Sequence, residues 1–326
     1  MIFMVNDTLV DTSISIVTVA VITYHSAKTV VETLDSIVAQ SYGPENIELI
    51  ISDDGSRDNT VPVINEWLAL HQAKFYCVKF FTNVANSGIS KNCNVAWKAA
   101  TSSWIKTIAG DDILLPNCLT DNIDFVFSQK HNDVSVLFSK MQLFSVAESG
   151  IRQELRILPT IHAQKFFKLS ALKQFQYLQQ QGISGAPSAF INRVKLASVG
   201  FADERFPMME DHPLWFKLCQ AGFKLNFMDK ITVLYRIADS VSNSKSRLIN
   251  VDYINEIVAV EEKLVIPTLS DNQYILKLRK RQWPKLAIRV AAIFDNKVTF
   301  FSKLAIAMIF MIKPGFLSAQ LYKGFK

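Results

Sequence analysis

The stretch from Ser15 to Tyr24 (SIVTVAVITY) constrains the fold more strongly than any other part of this sequence. Its residues are almost all apolar and many are β-branched, which is typical of a strand covered on both faces in a parallel sheet. Apolar residues then recur at helical spacing in 28–40, 61–68 and 89–100. Strand-like apolar runs at 47–51, 75–81 and 104–108 alternate with these helices. This alternation predicts an α/β fold whose parallel strands are joined by right-handed crossovers.

The second half of the chain is less regular. Beyond about residue 130 we predict a strand at 134–138, a helical stretch at 164–181 and a short helix at 213–220 that ends at Gly222. With 326 residues and 49% hydrophobic content, the chain can bury the core of one large or two small domains.

The four cysteines are widely separated and form no CxxC or Cys/His cluster of metal-site spacing. We therefore expect reduced cysteines in a cytoplasmic protein. No basic segment followed by a short apolar stretch and a small-residue cleavage site opens the chain, so no secretory signal is expected.

The net charge of +6 is unevenly distributed. Residues 277–326 carry +10, so the preceding residues carry −4. The main body therefore lacks the basic surface that binds polyanions, and no nucleic-acid partner is expected. Within 283–326, aromatic and aliphatic residues mix with lysines, in a run too short to cross a bilayer. The pattern favours a helix lying on an anionic membrane, with a helix packed against the body as the alternative.

Two pairs of acids follow predicted strands, at the edge where an α/β sheet presents groups to a ligand. Asp53 and Asp54 precede a glycine that permits a sharp turn, and we favour ligand contact for this pair. Asp58 is better explained as a helix N-cap. Asp111 and Asp112 hold two like charges beside apolar residues, for which Mn²⁺ or Mg²⁺ is the natural partner. A solvated acidic turn is the alternative.

A third acidic group, Glu210-Asp211, lies in a segment rich in Phe, Leu and Met. Apolar surroundings raise the pKa of a carboxyl, which suits a general base near neutral pH. The alternative for Asp211 is an N-cap before Pro213, and His212 alone is a weak signal.

Six motifs in this order and spacing resemble family 2 glycosyltransferases, as in bacterial enzymes that build surface polysaccharides. The resemblance runs from about Ile16 to Ser242. The motifs are Thr23-Tyr24-His25, Ser36 to Gln40, Asp53 to Asp58 (DDGSRD), Asn86 to Asn94, Asp111-Asp112, and Glu210-Asp211 followed by Trp215.

The resemblance implies a GT-A fold, with a Rossmann-like, mostly parallel central sheet flanked by helices. Residues 1–242 would form the glycosyltransferase domain, divided into a nucleotide-binding half at about 14–130 and an acceptor-binding half at about 131–242. Residues 243–326 would form a helical, basic extension that associates with the membrane.

The family's site residues carry over as expectations. Asp112 would be the chief ligand of Mn²⁺ or Mg²⁺ with Asp111 beside it, and Asp211 the base that deprotonates the acceptor hydroxyl. Tyr24 and Asp54 would contact the nucleotide base. The full set expected to bind the donor is Thr23, Tyr24, Asp53, Asp54, Asn86, Gly88, Asn94, Asp111 and Arg236.

Three departures from the family pattern bear on these expectations. Ala109 replaces an acid that many members have before the two aspartates, so metal binding rests on Asp111 and Asp112. Cys93 replaces a frequent arginine. Many family members have a histidine shortly after a Tyr-Arg pair, and this sequence has none shortly after Tyr235-Arg236.

The implied activity is inverting transfer from a nucleoside diphosphate sugar, with UDP-sugar favoured, to a glycan or lipid-linked glycan in O-antigen or capsule synthesis. The protein would act at the inner face of the bacterial inner membrane. A metal-dependent nucleotidyltransferase is one alternative, but the loop after the first strand has no glycines or clustered charge to hold a triphosphate. A non-catalytic sugar- or partner-binding protein is the other; Ala109 permits it and Asp211 argues against it.

Overall fold

A computed structural model describes residues 15–129, 134–147, 149–237 and 247–316. The strands within these ranges are β1 (Val17–Thr23), β2 (Ile47–Asp53), β3 (Cys77–Thr82), β4 (Trp104–Ala109), β5 (Ile113–Leu114), β6 (Val136–Val146), β7 (Arg152–Leu158), β8 (Phe190–Asn192) and β9 (Leu225–Arg236). They form one sheet in the order β3-β2-β1-β4-β8-β6-β9-β5, with β7 paired to β6.

Ten α-helices lie in the same described ranges. They are α1 (Val30–Val38), α2 (Thr60–His71), α3 (Ile89–Ala99), α4 (Cys118–Ser128), α5 (Ala171–Leu178), α6 (Arg193–Ser198), α7 (Asp211–Gln220), α8 (Val251–Val260), α9 (Tyr274–Ile293) and α10 (Phe300–Met311). The predicted helical stretch at 164–181 divides into a 3₁₀ segment, Ala163–Lys168, and α5.

The first half of the sheet is parallel, as the alternation predicted. β1 pairs in parallel with β2 and β4, and β2 pairs in parallel with β3. The register places Thr23 opposite Asp53, and Asp53 opposite Thr82. The loops that follow these strands, including the one after Ala109 of β4, therefore meet at one edge of the sheet.

The second half of the sheet is mixed. β8 joins β4 to β6 by antiparallel pairing, whereas β6 and β9 run parallel. β7 and β5 add antiparallel pairs. The predicted α/β fold with flanking helices is confirmed, and the parallel arrangement holds mainly for the first half. Periodicity does not reveal β5 and β8, because segments of two and three residues are too short to show a repeat.

Alternate side chains of β1 enter two apolar cores. Val19 and Val21 pack with α1, α2 and α4 on one face, whereas Ala20 and Ile22 pack with α3, α5 and α7 on the other. Burial of one such valine or isoleucine contributes about 1.5–3 kcal/mol. Helices therefore cover both faces, and only the edges of the sheet remain available to a ligand.

The predicted helical extension is confirmed over residues 247–316. Trp283 and Ala287 of α9 pack with Ile306 of α10 in a third cluster, and Val260 of α8 joins the core of the main body. The proposed boundary at residue 242 lies outside the described residues. Within the described ranges, no helix is both long enough and apolar enough to cross a membrane.

Candidate active site

Helix α1 positions the loop that carries Asp111 and Asp112. Thr29 Oγ1 donates to the carbonyl of Gly110 and Thr33 Oγ1 donates to the carbonyl of Asp112, both at 2.7 Å. Because threonines four residues apart share one face of a helix, α1 holds both ends of this short turn. The aspartate pair is therefore fixed to the body before any ligand binds.

The Ser-x-x-x-Gln motif of α1 holds the segment that follows. Ser36 Oγ accepts a hydrogen bond from the N–H of Leu114 at 3.1 Å. Gln40 donates to the carbonyl of Leu115 at 2.9 Å and accepts from the N–H of Leu119 at 3.1 Å. The motif thus holds the segment after Asp112 by hydrogen bonds to its backbone groups.

Asp112 is fully buried. Its Oδ1 accepts a hydrogen bond from the N–H of Arg236 at 2.9 Å, whereas its Oδ2 has no partner among the described residues. Burial raises the pKa of Asp112 well above its ordinary value, and the charge of Asp111 raises it further. An unpaired buried carboxylate oxygen is costly, and a hard cation is the group that would satisfy it.

The residues present fit a divalent ion that is shared with a substrate. Burial also raises the pKa of Asp111, and Arg236 partly opposes this shift. No group of three His, Cys, Asp or Glu able to hold a metal occurs in the described part of the chain. Asp111 and Asp112 would therefore supply two carboxylates, and Mg²⁺ or Mn²⁺ bound this way takes its remaining oxygens from substrate phosphates and water.

Lys106 is a charged residue that sequence reasoning missed. It lies in β4, is fully buried, and donates from Nζ to the carbonyl of Pro187 at 2.7 Å. Burial lowers the pKa of Lys106, while its positive charge acts to lower the pKa of Asp112. Its one signal in the sequence was a lysine inside an otherwise apolar strand, which is costly to bury without a partner.

Arg236 lies at the end of β9 beside the aspartate loop. It donates from Nε to the carbonyl of Asp111 at 2.8 Å and forms an ion pair with Glu32 of α1. Its guanidinium lies 4.6 Å from the centroid of the Phe144 ring. The structure thus brings Arg236 to the aspartate pair, and Glu32 is a neighbour that no motif indicated. Contact between Arg236 and the donor stays a prediction.

Asp53 organises the turn after β2. Its carboxylate accepts hydrogen bonds from Thr23 Oγ1 at 2.9 Å, from the N–H of Ser56 at 2.8 Å and from Ser56 Oγ at 2.6 Å. Both carboxylate oxygens are therefore occupied within the protein. Contacts of Asp53 and Thr23 with the donor are not tested by this geometry.

Asp54 joins the turn after β2 to the loop after β3. Its Oδ1 accepts from Asn83 Nδ2 and from the N–H and Oγ of Ser87, and its Oδ2 accepts from the N–H of Gly88 at 2.9 Å. These bonds hold the loop that is expected to line the ribose and diphosphate. Contact of Asp54 with the nucleotide base stays a prediction.

Gly88, in the nucleotide-binding half, lies close to Pro207 in the segment that precedes Asp211. Its φ is +94°, and a Cβ at this position would lie 2.5 Å from the Cβ of Pro207. Ser90 Oγ, two residues later, donates to the carbonyl of Phe206 at 2.6 Å. Asn86 is exposed and caps the turn by accepting from the N–H of Gly88 at 3.1 Å. Glycine is required here by conformation as well as by the close approach of Pro207.

Tyr24 and Asn94 lie in very different environments. Tyr24 is 46% exposed at the carboxyl end of β1 and stacks on His25, with ring centroids 4.1 Å apart. Asn94 is buried in α3, where it donates to the carbonyl of Ala202 and to Glu204 and accepts from the N–H of Ala202. Tyr24 is thus available to a ligand, whereas Asn94 is committed to bonds within the protein; neither predicted donor contact is tested.

Asp211 is the first residue of α7, and Glu210 is the N-cap residue without a side-chain capping bond. Asp211 Oδ1 accepts from the adjacent N–H of His212 at 2.5 Å. Burial raises the pKa of Asp211 and, together with the neighbouring charge of Asp211, raises the pKa of Glu210 to about 8. Near pH 7 Glu210 is therefore mostly protonated.

The charges of both acidic groups, Asp111-Asp112 and Glu210-Asp211, act on the phenol of Tyr235. Burial raises the pKa of Tyr235 to about 12, and the charges of Asp112, Asp111, Asp211 and Glu210 all contribute, in that order. Carboxylates separated by about a hundred positions in the sequence therefore act on one phenol. The predicted metal ligands and the predicted base thus lie within electrostatic range of the same side chain of β9.

Comparison with known proteins identifies the family of the chain. A family model described as "Glycosyl transferase family 2" matches residues 18–191. EpsE of Bacillus subtilis (strain 168), a candidate glycosyltransferase by its name, is 27% identical over 256 residues, which cover 78% of this chain and 84% of EpsE. WfaP of Escherichia coli, named as a UDP-Glc:alpha-D-GlcNAc-diphosphoundecaprenol beta-1,3-glucosyltransferase, is 23% identical over 231 residues, 71% of this chain and 81% of WfaP.

Among solved structures, S. aureus TarS 1–349 in complex with UDP-GlcNAc superposes with a TM-score of 0.59 at 19% identity. The superposition covers 93% of this chain and 83% of that one, which confirms the predicted GT-A-type fold. Since the family model spans more than half of the sequence, the chain belongs to glycosyl transferase family 2.

Proposed function

We propose that the protein transfers a sugar from a UDP-sugar to a hydroxyl of a glycan or lipid-linked glycan in bacterial surface-polysaccharide synthesis, as for O-antigen or capsule. The buried Asp112 beside Asp111, whose Oδ2 has no partner among the described residues, carries the proposal. The UDP-sugar and lipid-diphosphate acceptor in the name of WfaP, and the UDP-GlcNAc bound to TarS, support the substrate classes.

The donor would lie across the carboxyl ends of β1, β2 and β4. Tyr24 offers an exposed ring on which a nucleotide base can stack. Thr23, Asp53 and Asp54 would shape the base pocket, and Asn86 and Gly88 would line the ribose and diphosphate. Asn94 would act by holding α3 against the segment after α6.

Asp112, with Asp111, would hold Mn²⁺ or Mg²⁺. The ion, when bound, would draw negative charge from the leaving nucleoside diphosphate. Arg236 and Lys106 add positive charge on the protein side of the same aspartates. Since Arg236 is held by Glu32, its guanidinium is already oriented before the donor arrives.

Asp211 would accept the proton of the attacking acceptor hydroxyl. Glu210, whose pKa is about 8, is mostly protonated near pH 7, which leaves Asp211 as the residue assigned as base. The acceptor oxygen attacks the anomeric carbon from the face opposite the diphosphate. One displacement of this kind inverts the anomeric configuration.

A thermal-shift screen followed by a transfer assay tests this proposal. We expect UDP or a UDP-sugar with Mn²⁺ to raise the melting temperature by several degrees, since a ligand at a hundred times its Kd adds about 2.7 kcal/mol. GDP and omission of Mn²⁺ serve as the controls. The absence of a metal-dependent shift with any nucleoside diphosphate or its sugar would contradict the proposal, and binding without donor consumption would favour a non-catalytic protein.

We further propose that helix α10 attaches the protein to the inner face of the bacterial inner membrane, with the body in the cytoplasm. Its inner face packs on α9 through Ile306 and Ile309. Its outer face carries five apolar side chains that are each at least half exposed: Phe300, Phe301, Leu304, Met308 and Met311. Exposed lysines at 297 and 303 border this face, which suits an anionic lipid surface.

The triple variant Phe300→Ser, Phe301→Ser, Leu304→Ser is expected to reduce cosedimentation with phosphatidylglycerol vesicles by at least about tenfold, because each large apolar side chain inserted in lipid contributes about 1.5–3 kcal/mol. Leu70→Ser is a matched control, since Leu70 is 77% exposed on α2. Equal sedimentation of the triple variant and the control would contradict the role of α10. Phosphatidylcholine vesicles test the contribution of lipid charge.

A further inference from the structure

A cavity of about 460 Å³ lies between the main body and the C-terminal helices. Asp211 and His212 of α7 line one side, and the loop 180–184 lines another. α8 contributes Tyr253 and Ile257, and α9 contributes Lys280 and Trp283. A cavity of this volume holds a small ligand, and it opens directly on the proposed base.

The far side of this cavity is positively charged. Lys280 is only 2% exposed, and its Nζ donates to Glu261 Oε1 at 2.7 Å. Lys313 lies beyond α10, with its Nζ 4.8 Å from the centroid of the Trp283 ring. Glu261 neutralises only one of these two ammonium groups, so this end of the cavity keeps a net positive charge.

The cavity also contains polar atoms that lack a partner. His212 Nδ1 and Glu261 Oε2 are buried and make no hydrogen bond to any described residue. Burial, together with the charges of Lys280 and Lys313, lowers the pKa of His212 to about 4, so the ring is neutral and its unpaired Nδ1 can donate or accept according to the tautomer. Tyr253, Ile257 and Trp283 give the same cavity an apolar wall.

The two lysines of the cavity lie outside the predicted nucleotide-binding half of the chain. Lys280 and Lys313 belong to the basic extension, whose charge the sequence indicated only as a surface for membranes. Other cations of the same extension remain on the surface, such as Arg281, which pairs with Glu262. Two lysines are instead turned towards the cavity that contains Asp211.

We propose that this cavity is the acceptor site and that it selects an acceptor whose glycan is attached to a phosphate. The acceptor hydroxyl would lie at Asp211, the sugar against the aromatic wall, and the phosphate at Lys280 and Lys313. Glu261 supplies one negative charge for the two ammonium groups, which a neutral glycan would leave unchanged, whereas a phosphate accepts several charge-assisted hydrogen bonds from ammonium groups. This assignment rests on the proposed function, because it takes Asp211 as the base.

The test measures binding and does not require transfer. The protein is saturated with UDP and Mn²⁺ to occupy the donor site, and calorimetry then measures the Kd of decyl diphosphate, of inorganic pyrophosphate and of neutral decyl glucoside. Lys313→Met removes the cation at the rim of the cavity. Lys285→Met is the matched control, since Lys285 is an exposed lysine of α9 that does not line the cavity.

We expect Lys313→Met to weaken decyl diphosphate binding about tenfold to a hundredfold and Lys285→Met to leave it unchanged. The double variant Lys280→Met, Glu261→Gln removes the buried pair together and is expected to have a similar effect without leaving an unpaired charge. Decyl glucoside binding should be insensitive to Lys313→Met.

Equal loss in Lys313→Met and Lys285→Met, or no loss in either, would overturn the phosphate site. Pyrophosphate binding as tight as that of decyl diphosphate would overturn the acceptor assignment in favour of a free anion. Failure of UDP with Mn²⁺ to shift the melting temperature contradicts the proposed function instead, and the two failures are therefore distinguishable.

Discussion

Asp211→Asn is expected to lower the rate of sugar transfer by about 10²–10⁴-fold, the usual contribution of a positioned general base. The variant keeps the size of the side chain and can still accept a hydrogen bond from the N–H of His212. It loses the negative charge that attracts the acceptor proton. Donor affinity, measured by the melting-temperature shift with UDP and Mn²⁺, should be unchanged because the donor site does not use this carboxylate.

Glu210→Gln is the matched control for this substitution. The pKa of Glu210 is about 8, so near pH 7 the residue is mostly protonated and glutamine is its neutral counterpart. We therefore expect Glu210→Gln to keep most of the transfer activity at pH 7. If Glu210→Gln abolishes transfer and Asp211→Asn retains it, the base is Glu210.

The pH dependence follows from the same raised pKa values. Asp211 must be ionised to act, and burial raises its pKa above the ordinary value of 3.8, so kcat/KM should rise with pH through an acid limb above that value. A carboxyl whose folded pKa is raised favours folding in its protonated form. Its contribution to stability is full below the unfolded pKa and is lost as pH rises through the folded pKa. For Glu210 that loss falls between about 4.5 and 8, and Glu210→Gln should abolish it.

The first half of the fold is predictable from the sequence because its strands are long and buried on both faces. All seven residues of β1 and of β2 are buried, and apolar residues predominate in both strands. The turns after these strands can also be placed, since parallel strands end at a common edge. Acidic residues that directly follow such strands are therefore enough to indicate a ligand site at that edge.

The rest of the site depends on contacts that no local pattern encodes. Arg236 reaches Asp112 because β9 pairs in parallel with β6 and antiparallel with β5, a topology set by long-range packing. Glu32 is one of two acids on the amphipathic helix α1, and only the folded chain supplies Arg236 as its partner. Lys280 belongs to a run of basic residues whose individual directions depend on how α9 packs on α8. Charge and spacing predict that such groups exist, whereas tertiary packing decides which of them meet.

Asp112→Asn is expected to distinguish the effect of the buried carboxyl group on stability from its role in binding the metal ion. Without ligand, the variant should melt at a higher temperature than the unmodified protein near pH 7, since it removes a buried carboxyl group whose Oδ2 lacks a partner among the described residues. With UDP and Mn²⁺, the melting-temperature shift should largely disappear because the chief ligand of the ion is lost. Transfer should fall by about 10²–10⁴-fold, corresponding to several kcal/mol of lost charge stabilisation.

Two comparisons make the Asp112 prediction specific. Asp111→Asn should cause a smaller loss of the Mn²⁺-dependent shift, because Asp111 is less buried and its charge is partly offset by Arg236. Asp229→Asn, at an exposed aspartate that pairs with Lys140, should change neither the shift nor transfer. A higher melting temperature with the metal-dependent shift intact would show that Asp112 is a strained structural residue and not a metal ligand. If the unpaired oxygen of Asp112 binds the metal, Asp112→Asn should raise the melting temperature without ligand and abolish the shift with UDP and Mn²⁺. A carboxylate with only a structural role would not link these two effects.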